Sequence, residues 1–200
     1  MKTEYELRFY PIHKEIVRQA FRDSSAELTT PEHLMKRKVY QIRDSSFMRV
    51  RESNGKVEIT GKIIKNSATI DGTLETNIDV AHTSFNEITA LFDKLFDNGC
   101  YQESLREEWL LYKDASGNTV VATIDTWPGL EPLVEIEGNN ESIIHHAISL
   151  QNHEFGKPFH GDILQLYKHV YGLSSSDFHS IKNLSFDNTE QLRGFGNCSR

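Results

Sequence analysis

From its first residues the chain alternates polar and apolar positions. Glu4, Glu6 and Arg8 fall on one side of an extended segment and Tyr5, Leu7 and Phe9 on the other, the two-residue period of a strand with one buried face. The stretch 12–22 changes to a helical period, with Ile16, Val17, Ala20 and Phe21 as its apolar stripe. Strand-like segments follow at 36–43, 46–52, 56–64 and 73–80. Ser53-Asn54-Gly55 between the second and third of these reads as a hairpin turn, because Asn-Gly accepts positive φ. A second helix is predicted over 84–98. Ser84 and Glu87 have capping-box spacing, Phe85, Ile88, Leu91, Phe92, Leu95 and Phe96 form a stripe, and Gly99 suits the position just past the end. Strands resume at 102–114, 119–126 and 133–137, with Ala115-Ser116-Gly117-Asn118 as a turn. Helices are predicted at 140–150 and 162–171, the latter ended by Gly172. From Ser174 onward the chain is polar, with Phe178, Ile181, Leu184 and Phe186 as docking points.

Many antiparallel strands with helices inserted between two groups of them make an α+β fold, and closing the sheet would remove its exposed edges. The 200 residues suit one domain, with a core over about 3–171 and a tail, 172–200, that packs on it or is partly disordered. A net charge of -7 disfavours a nucleic-acid surface or attraction to anionic membranes. It leaves room for an anionic small molecule if cations concentrate in one cavity. Cys100 and Cys198 are too few for a disulfide framework. With no apolar leader and no membrane-length stretch, a cytoplasmic location is the default expectation.

The strands carry an unusual polar face. Glu4-x-Glu6-x-Arg8 opens the chain, Glu135-x-Glu137 closes the strand set after Asp125, and Arg49-x-Arg51 and Thr60-x-Lys62 lie between. Each spacing of two keeps both groups on one side of a strand, while Leu7, Phe9, Val50, Ile59, Ile63, Val134 and Ile136 occupy the other. On any one strand such a pattern also describes an ordinary solvent-facing surface with weak cross-strand ion pairs. Repeated E-x-E and R-x-R together favour a shared wet interior. There, carboxylates would hold hard divalent cations and Arg and Lys would neutralise phosphate oxygens.

The ordered set resembles the CYTH superfamily, the triphosphate tunnel metalloenzymes, and within it the small bacterial adenylyl-cyclase-like proteins. Glu4-Tyr5-Glu6-Leu7-Arg8 matches the hallmark E-x-E-x-K strand with Arg in the last place. Further matches are Met48-Arg49-Val50-Arg51-Glu52, Ile59-Thr60-Gly61-Lys62, Arg106-Glu107-Glu108-Trp109, Thr123-Ile124-Asp125-Thr126-Trp127-Pro128-Gly129-Leu130 and Glu135-Ile136-Glu137-Gly138. Ser104 stands where members often carry a further base, and Asn77 where a second carboxylate is common. The resemblance implies a closed antiparallel eight-stranded β-barrel with helices packed outside, holding Mg²⁺ or Mn²⁺ and a triphosphate. It implies metal binding by Glu4, Glu6, Glu75, Asp125, Glu135 and Glu137, and phosphate contacts from Arg8, Arg37, Arg49, Arg51, Lys62 and Arg106. Glu4, Glu6, Arg8, Glu135 and Glu137 would carry the catalysis.

The expected activity is metal-dependent hydrolysis of tripolyphosphate, thiamine triphosphate or a nucleoside triphosphate. The alternatives are an adenylyl cyclase making cyclic AMP from ATP, and a module that binds a triphosphate or nucleotide without turnover. A homodimer is an allowed assembly. The histidines, including His145, His146, His153, His160 and His169, have no metal-ligand spacing and suit surface or core roles. Cys100 suits a small buried position. Trp109 and Trp127 suit packing of helices on the sheet, with Trp127 also placed to cover a tunnel mouth.

Overall fold

The structure, a computed structural model, describes residues 2–43, 46–63, 73–81, 83–96, 99–151 and 153–193. Its strands are β1 (Lys2–Phe9), β2 (Glu27–Arg43), β3 (Ser46–Ser53), β4 (Lys56–Ile63), β5 (Thr73–Val80), β6 (Cys100–Lys113), β7 (Thr119–Thr126), β8 (Leu133–Gly138), β9 (Pro158–Phe159) and β10 (Asn183–Leu184). Its helices are α1 (Lys14–Asp23), α2 (Phe85–Phe92), α3 (Glu141–Ser149), α4 (Ile163–Tyr171), α5 (Ser175–Ser180) and α6 (Glu190–Arg193). The fold is α+β with one large, almost wholly antiparallel sheet.

The sheet order is β10-β6-β2-β3-β4-β5-β1-β8-β7, with β9 beside β1. β6 and β7 also pair with each other, Arg106 standing opposite Asp125. The expected count of eight strands is corrected to ten. The two extra strands are two-residue pieces: β9 pairs antiparallel with the end of β1, and β10 pairs parallel with the start of β6. Neither carries enough alternation to register as a strand in the sequence.

Most predicted elements form, and their local reasons hold. The β3–β4 turn uses Asn54 at φ 49 and Gly55 at φ 72. α2 starts with the reciprocal Ser84–Glu87 capping box, and Gly172 ends α4 in the left-handed conformation at φ 71. Two boundaries differ. β2 begins at Glu27 rather than 36, because Pro31 and two register shifts, between Leu28 and Thr30 and between Thr30 and His33, disguise its first third. α2 ends at Phe92, with its cap at Asp93, whose carboxylate accepts from Lys38 Nζ at 2.6 Å and Tyr40 Oη at 3.0 Å. Gly99 therefore lies outside the helix cap; there a Cβ would meet Lys38 and Tyr40 at 2.8 Å. Residues 64, 97–98 and Cys198, which the sequence reading also used, lie outside the described residues.

Three apolar clusters lie between sheet and helices. Leu7, Phe9, Trp109, Ala122, Ile124, Val134 and Ile136 pack under Val17 and Phe21 of α1 and Ile144 and Ala147 of α3. α1 buries a narrower stripe than expected, and Ile16 is 53 % exposed. Tyr40, Val50 and Val57 pack under Phe85 and Ile88 of α2. Trp127 and Leu130, from the β7–β8 connection, and Leu133 at the start of β8 pack with Leu166, Tyr167, Leu173, Phe178, Ile181, Leu184 and Leu192. The helices thus cover the apolar face of the sheet, and the charged face turns the other way.

Candidate functional site

β1 and β8 are antiparallel neighbours, with Glu6 opposite Glu137 and Arg8 opposite Glu135. Opposed residues share a face, so all four side chains project together, away from Leu7 and Ile136. Carboxylate oxygens of Glu6, Glu135 and Glu137 come within 4.8 Å of one another. Arg8 reaches into this group. Its Nε donates to Glu135 Oε1 at 2.7 Å, its Nη2 to the same oxygen, and its Nη1 to the Gly161 carbonyl. From β6, Arg106 donates through Nε to Asp125 Oδ1 at 2.7 Å, through Nη2 to Asp125 Oδ2, and also to Glu135 Oε2 at 3.2 Å.

Buried Glu135 and the more open Glu6 respond oppositely. Burial pushes the Glu135 carboxyl up, but Arg8 and Arg106 outweigh it and hold the group down at about 2. Burial and the charge of Glu135 push Glu6 above the usual carboxylate range, against the pull of Arg8, Lys62 and Arg106. Water still reaches Glu6, whose side chain is 42 % exposed, so its neighbours wall it without sealing it. Oxygens from three carboxylates are the donor set that hard divalent cations take. The Thr123 hydroxyl, on β7 opposite Glu135, is buried without a hydrogen-bond partner, and an ion's water shell would satisfy it. The residues present therefore fit a divalent metal.

The neighbouring wall is cationic. Arg37 on β2 stands opposite Arg51 on β3, Arg51 opposite Glu58 on β4, and Arg49 opposite Thr60. Arg51 Nη2 donates to Glu58 Oε1 at 2.7 Å, and Thr60 Oγ1 donates to the same oxygen at 3.0 Å while accepting from Arg49 Nη2 at 3.3 Å. The Lys62 charge acts on both Glu6 and Glu135, so it lies on the same face of the sheet. Arg37 is only 6 % exposed. Burial first, then Arg106 and Arg49, hold its guanidinium well below the ordinary range, with Asp125 opposing.

Glu6, Arg8, Glu135, Glu137, Arg106, Asp125, Lys62, Arg37, Arg49 and Arg51 thus line one face of the sheet. Asp125 stands apart from the three-carboxylate group, both its oxygens engaged by Arg106. Glu4 lies on β1 opposite Thr73, and Glu75 on β5 opposite Lys62 and Lys2; the side chains of both lie outside the described residues. Sequence reading missed Glu58, although Glu58-x-Thr60-x-Lys62 has the same spacing of two. It also missed the Gly161 carbonyl, which no side-chain pattern could flag.

The other candidates take structural positions. His146 meets the Tyr112 ring edge-on at 5.0 Å, His153 meets Phe155 at 4.9 Å, and His169 lies 5.8 Å from Phe159. His145 lies 3.6 Å from Glu141 on the surface. Cys100 is buried, and burial pushes its thiol up, away from a reactive thiolate. Trp109 packs on Phe21 at 5.5 Å. Trp127 lies beneath Arg37, whose Cζ is 4.3 Å from the ring centroid. Among the described residues, no helix is long and apolar enough to cross a membrane.

Neither a family model nor a curated relative matches the sequence. Among solved structures the chain is similar to the PH1819 protein of Pyrococcus horikoshii OT3, with TM-score 0.60 and 21 % identity over 83 % of this chain and 98 % of that one. It is similar to a candidate adenylate cyclase from Vibrio parahaemolyticus, with TM-score 0.59 and 11 % identity over 82 % and 97 %. A third is HpAC1 from Hippeastrum, a candidate adenylyl cyclase described as revealing a dominant triphosphatase activity, with TM-score 0.56 and 14 % identity over 90 % and 95 %. At these identities the likeness is one of fold alone.

Proposed function

We propose that the chain is a metal-dependent enzyme that hydrolyses an inorganic or organic triphosphate inside a closed tunnel of its eight long strands. The observation that carries this reading is charge arrangement: Arg37, Arg49, Arg51, Arg106 and Lys62 gather on the sheet face that also holds Glu6, Glu135 and Glu137. Closure is supported by β6, which pairs with β2 on one side and with β7 on the other. A ring of pairings turns one sheet face into an interior. The fold shared with HpAC1 favours hydrolysis, the dominant activity described for that protein.

Within this reading Arg37, Arg49, Arg51, Arg106 and Lys62 neutralise the non-bridging phosphate oxygens, which is most of what phosphoryl transfer asks of a protein. Glu6, Glu135 and Glu137 would hold Mg²⁺ or Mn²⁺, with Glu4 and Glu75 as further donors. Such a metal, when bound, adds charge neutralisation at the phosphates and lowers the pKa of water. Arg8 fixes Glu135 from one side and Arg106 from the other, so that carboxylate stays ionised and oriented. Asp125 in turn orients Arg106. Water attacks the terminal phosphorus and the diphosphate end leaves, so one phosphoanhydride bond breaks, one phosphate is released and the proton of the water passes to the products. Triphosphates are abundant in the cytoplasm, the compartment this reading assigns.

Phosphate release from tripolyphosphate, thiamine triphosphate and ATP in Mg²⁺ and in Mn²⁺, compared with Glu137→Gln, tests the proposal. Release that is metal-dependent and lost in the variant supports it. Release no greater than that of the variant defeats it. The Vibrio likeness keeps a cyclase in view as a second reading, and cyclic AMP with pyrophosphate from ATP would install it instead. Metal-dependent binding with ligand unchanged after long incubation would make the chain a binder.

A further inference from the structure

The sheet face that turns away from the charges is covered unevenly. Under α2, Val50 of β3 and Val57 of β4 are buried, and Ile59 and Val80 pack against the same cluster. Ile78 of β5 stands opposite Ile59, one step beyond that cluster, and is more than half exposed. On β4, Ile63 is close to half exposed, and at Gly61, between it and Ile59, an added Cβ would meet nothing within 4 Å. α2 extends this open apolar surface. Asp93 at its C-cap reaches Lys38 of β2 at 2.6 Å. Leu91 and Leu95 lie two residues either side of Asp93, each about 160° round the helix axis from it. They therefore sit on the flank of α2 toward β4 and β5, and both are more than half exposed.

Ile63, Ile78, Leu91 and Leu95 together expose several hundred Å² of aliphatic surface, the size of patch that marks an interaction site. The charges beside it say which partner fits. Glu87 and Lys94 are exposed on the outer ridge of α2, two turns or about 10 Å apart, with Leu91 between them. Two such ridges crossing antiparallel about a two-fold axis at Leu91 bring Glu87 of each copy against Lys94 of the other. Leucine then meets leucine at the centre. A two-fold contact needs a surface that complements itself. An acid and a base at opposite ends of an apolar ridge meet that need, whereas two charges of one sign would repel.

We infer that the outer flank of α2, with Ile63 and Ile78 beside it, is the interface of a two-fold homodimer. Leu91 lies at its centre and the Glu87–Lys94 pairs at its rim. A standard interface buries ~800 Å² per partner, and the aliphatic patch supplies only part of that. The dimer is therefore reversible, with a dissociation constant on the order of micromolar. The patch lies on the sheet face opposite Glu6, Arg49 and Glu135, so pairing leaves the charged face of each copy uncovered. The inference stands whether or not that face takes a triphosphate.

Sedimentation velocity of the full chain over a concentration series spanning this range tests the interface. Wild-type protein is expected to pass from monomer to dimer as concentration rises. Leu91→Glu sets two like charges against each other at the axis and should weaken the dimer by more than about 100-fold. Ile78→Lys should weaken it by more than about 10-fold. Lys94→Glu should cost about 10-fold, and adding Glu87→Lys to that variant should restore the dimer, because the two signs are then exchanged on both copies. Circular dichroism melts confirm that each variant is folded, a necessary control because Glu87 closes the capping box of α2. A wild type that stays monomeric throughout overturns the inference and leaves the patch to a different protein. A dimer that Leu91→Glu leaves intact overturns it too, as does a folded double variant that pairs as weakly as Lys94→Glu alone.

Discussion

Glu135→Gln in metal-free protein measures how closely the interior charges are matched. The Glu135 carboxyl is held at about 2, against an ordinary value of 4.5. A depressed folded-state pKa contributes stability that is complete above the ordinary value and is lost as pH falls toward the folded one. The difference of about 2.5 units corresponds to about 3 kcal/mol at neutral pH. Glu6 works in the opposite sense, because its raised pKa means that ionising it costs stability, and Glu135 is one of the causes. Removing the Glu135 charge relieves part of that cost, so the net loss expected is about 2 kcal/mol. Arg8 and Arg106 dominate Glu6 in this balance: the glutamine leaves Arg8 with Glu6 at 3.6 Å and the Gly161 carbonyl, and Arg106 with Asp125.

For a chain of this size that loss lowers the midpoint of thermal unfolding by roughly 4–8 °C. Circular dichroism melts in EDTA, at neutral pH and stepwise down through the carboxylate range, provide the measurement. The gap between wild type and variant should be full at neutral pH, begin to close below about pH 4.5 and vanish near pH 2. A variant as stable as wild type at neutral pH would refute the reasoning. So would a deficit that stays constant on acidification, since it would then come from packing rather than charge.

Arg18→Met is expected to cost about 3 kcal/mol in urea unfolding, because buried Glu107 would keep only the Trp109 Nε1 bond at 2.9 Å after losing Arg18 Nε at 3.0 Å from both its oxygens. Gly129→Ala should cost about 1–3 kcal/mol in the same assay, since Gly129 sits at φ 75 and the added carbon would lie 2.7 Å from Leu192 and 2.8 Å from the Tyr171 hydroxyl. Glu6→Gln and Glu137→Gln should each weaken Mn²⁺ binding, read by calorimetry, by more than about 10-fold, with melting temperatures in EDTA changed by only a few degrees.

Alternation made the faces of β1, β3, β4 and β8 legible, and capping chemistry made the start of α2 and the end of α4 legible. What alternation cannot supply is neighbours. Arg8 and Glu135 meet across 127 positions of sequence, and only the β1–β8 register brings them together. A periodic apolar stripe likewise does not say how much of it is covered. Leu95, inside the expected helix, is 65 % exposed because the helix stops at Phe92 and the chain turns there. Arg37 is the sharpest case. The family resemblance named Arg37, whereas Lys36-Arg37-Lys38 by itself shows no alternation of polar and apolar positions; Lys38 turns outward to Asp93 and Lys36 lies 4.0 Å from Glu52. Arg37, between them, points to the charged face of the sheet. The two-residue period was present, but hidden by three like charges in a row.

The placement of the helices follows from that charged face. A sheet whose one face carries Glu6, Arg8, Arg49, Arg51, Lys62, Arg106 and Glu135 must bury its apolar residues on the other, so its core lies between sheet and helices. α1 and α3 cover the β1–β8–β7–β6 side and α2 the β3–β4 side. The C-terminal elements cover the β7–β8 connection, where Trp127 has one neighbour in that apolar cluster and another in Arg37. Trp127 therefore joins the C-terminal packing to the cationic wall. Its truncation to alanine would remove a member of the C-terminal cluster and the ring beneath Arg37 together, so a lowered midpoint of thermal unfolding and weaker tripolyphosphate binding should appear in the same variant.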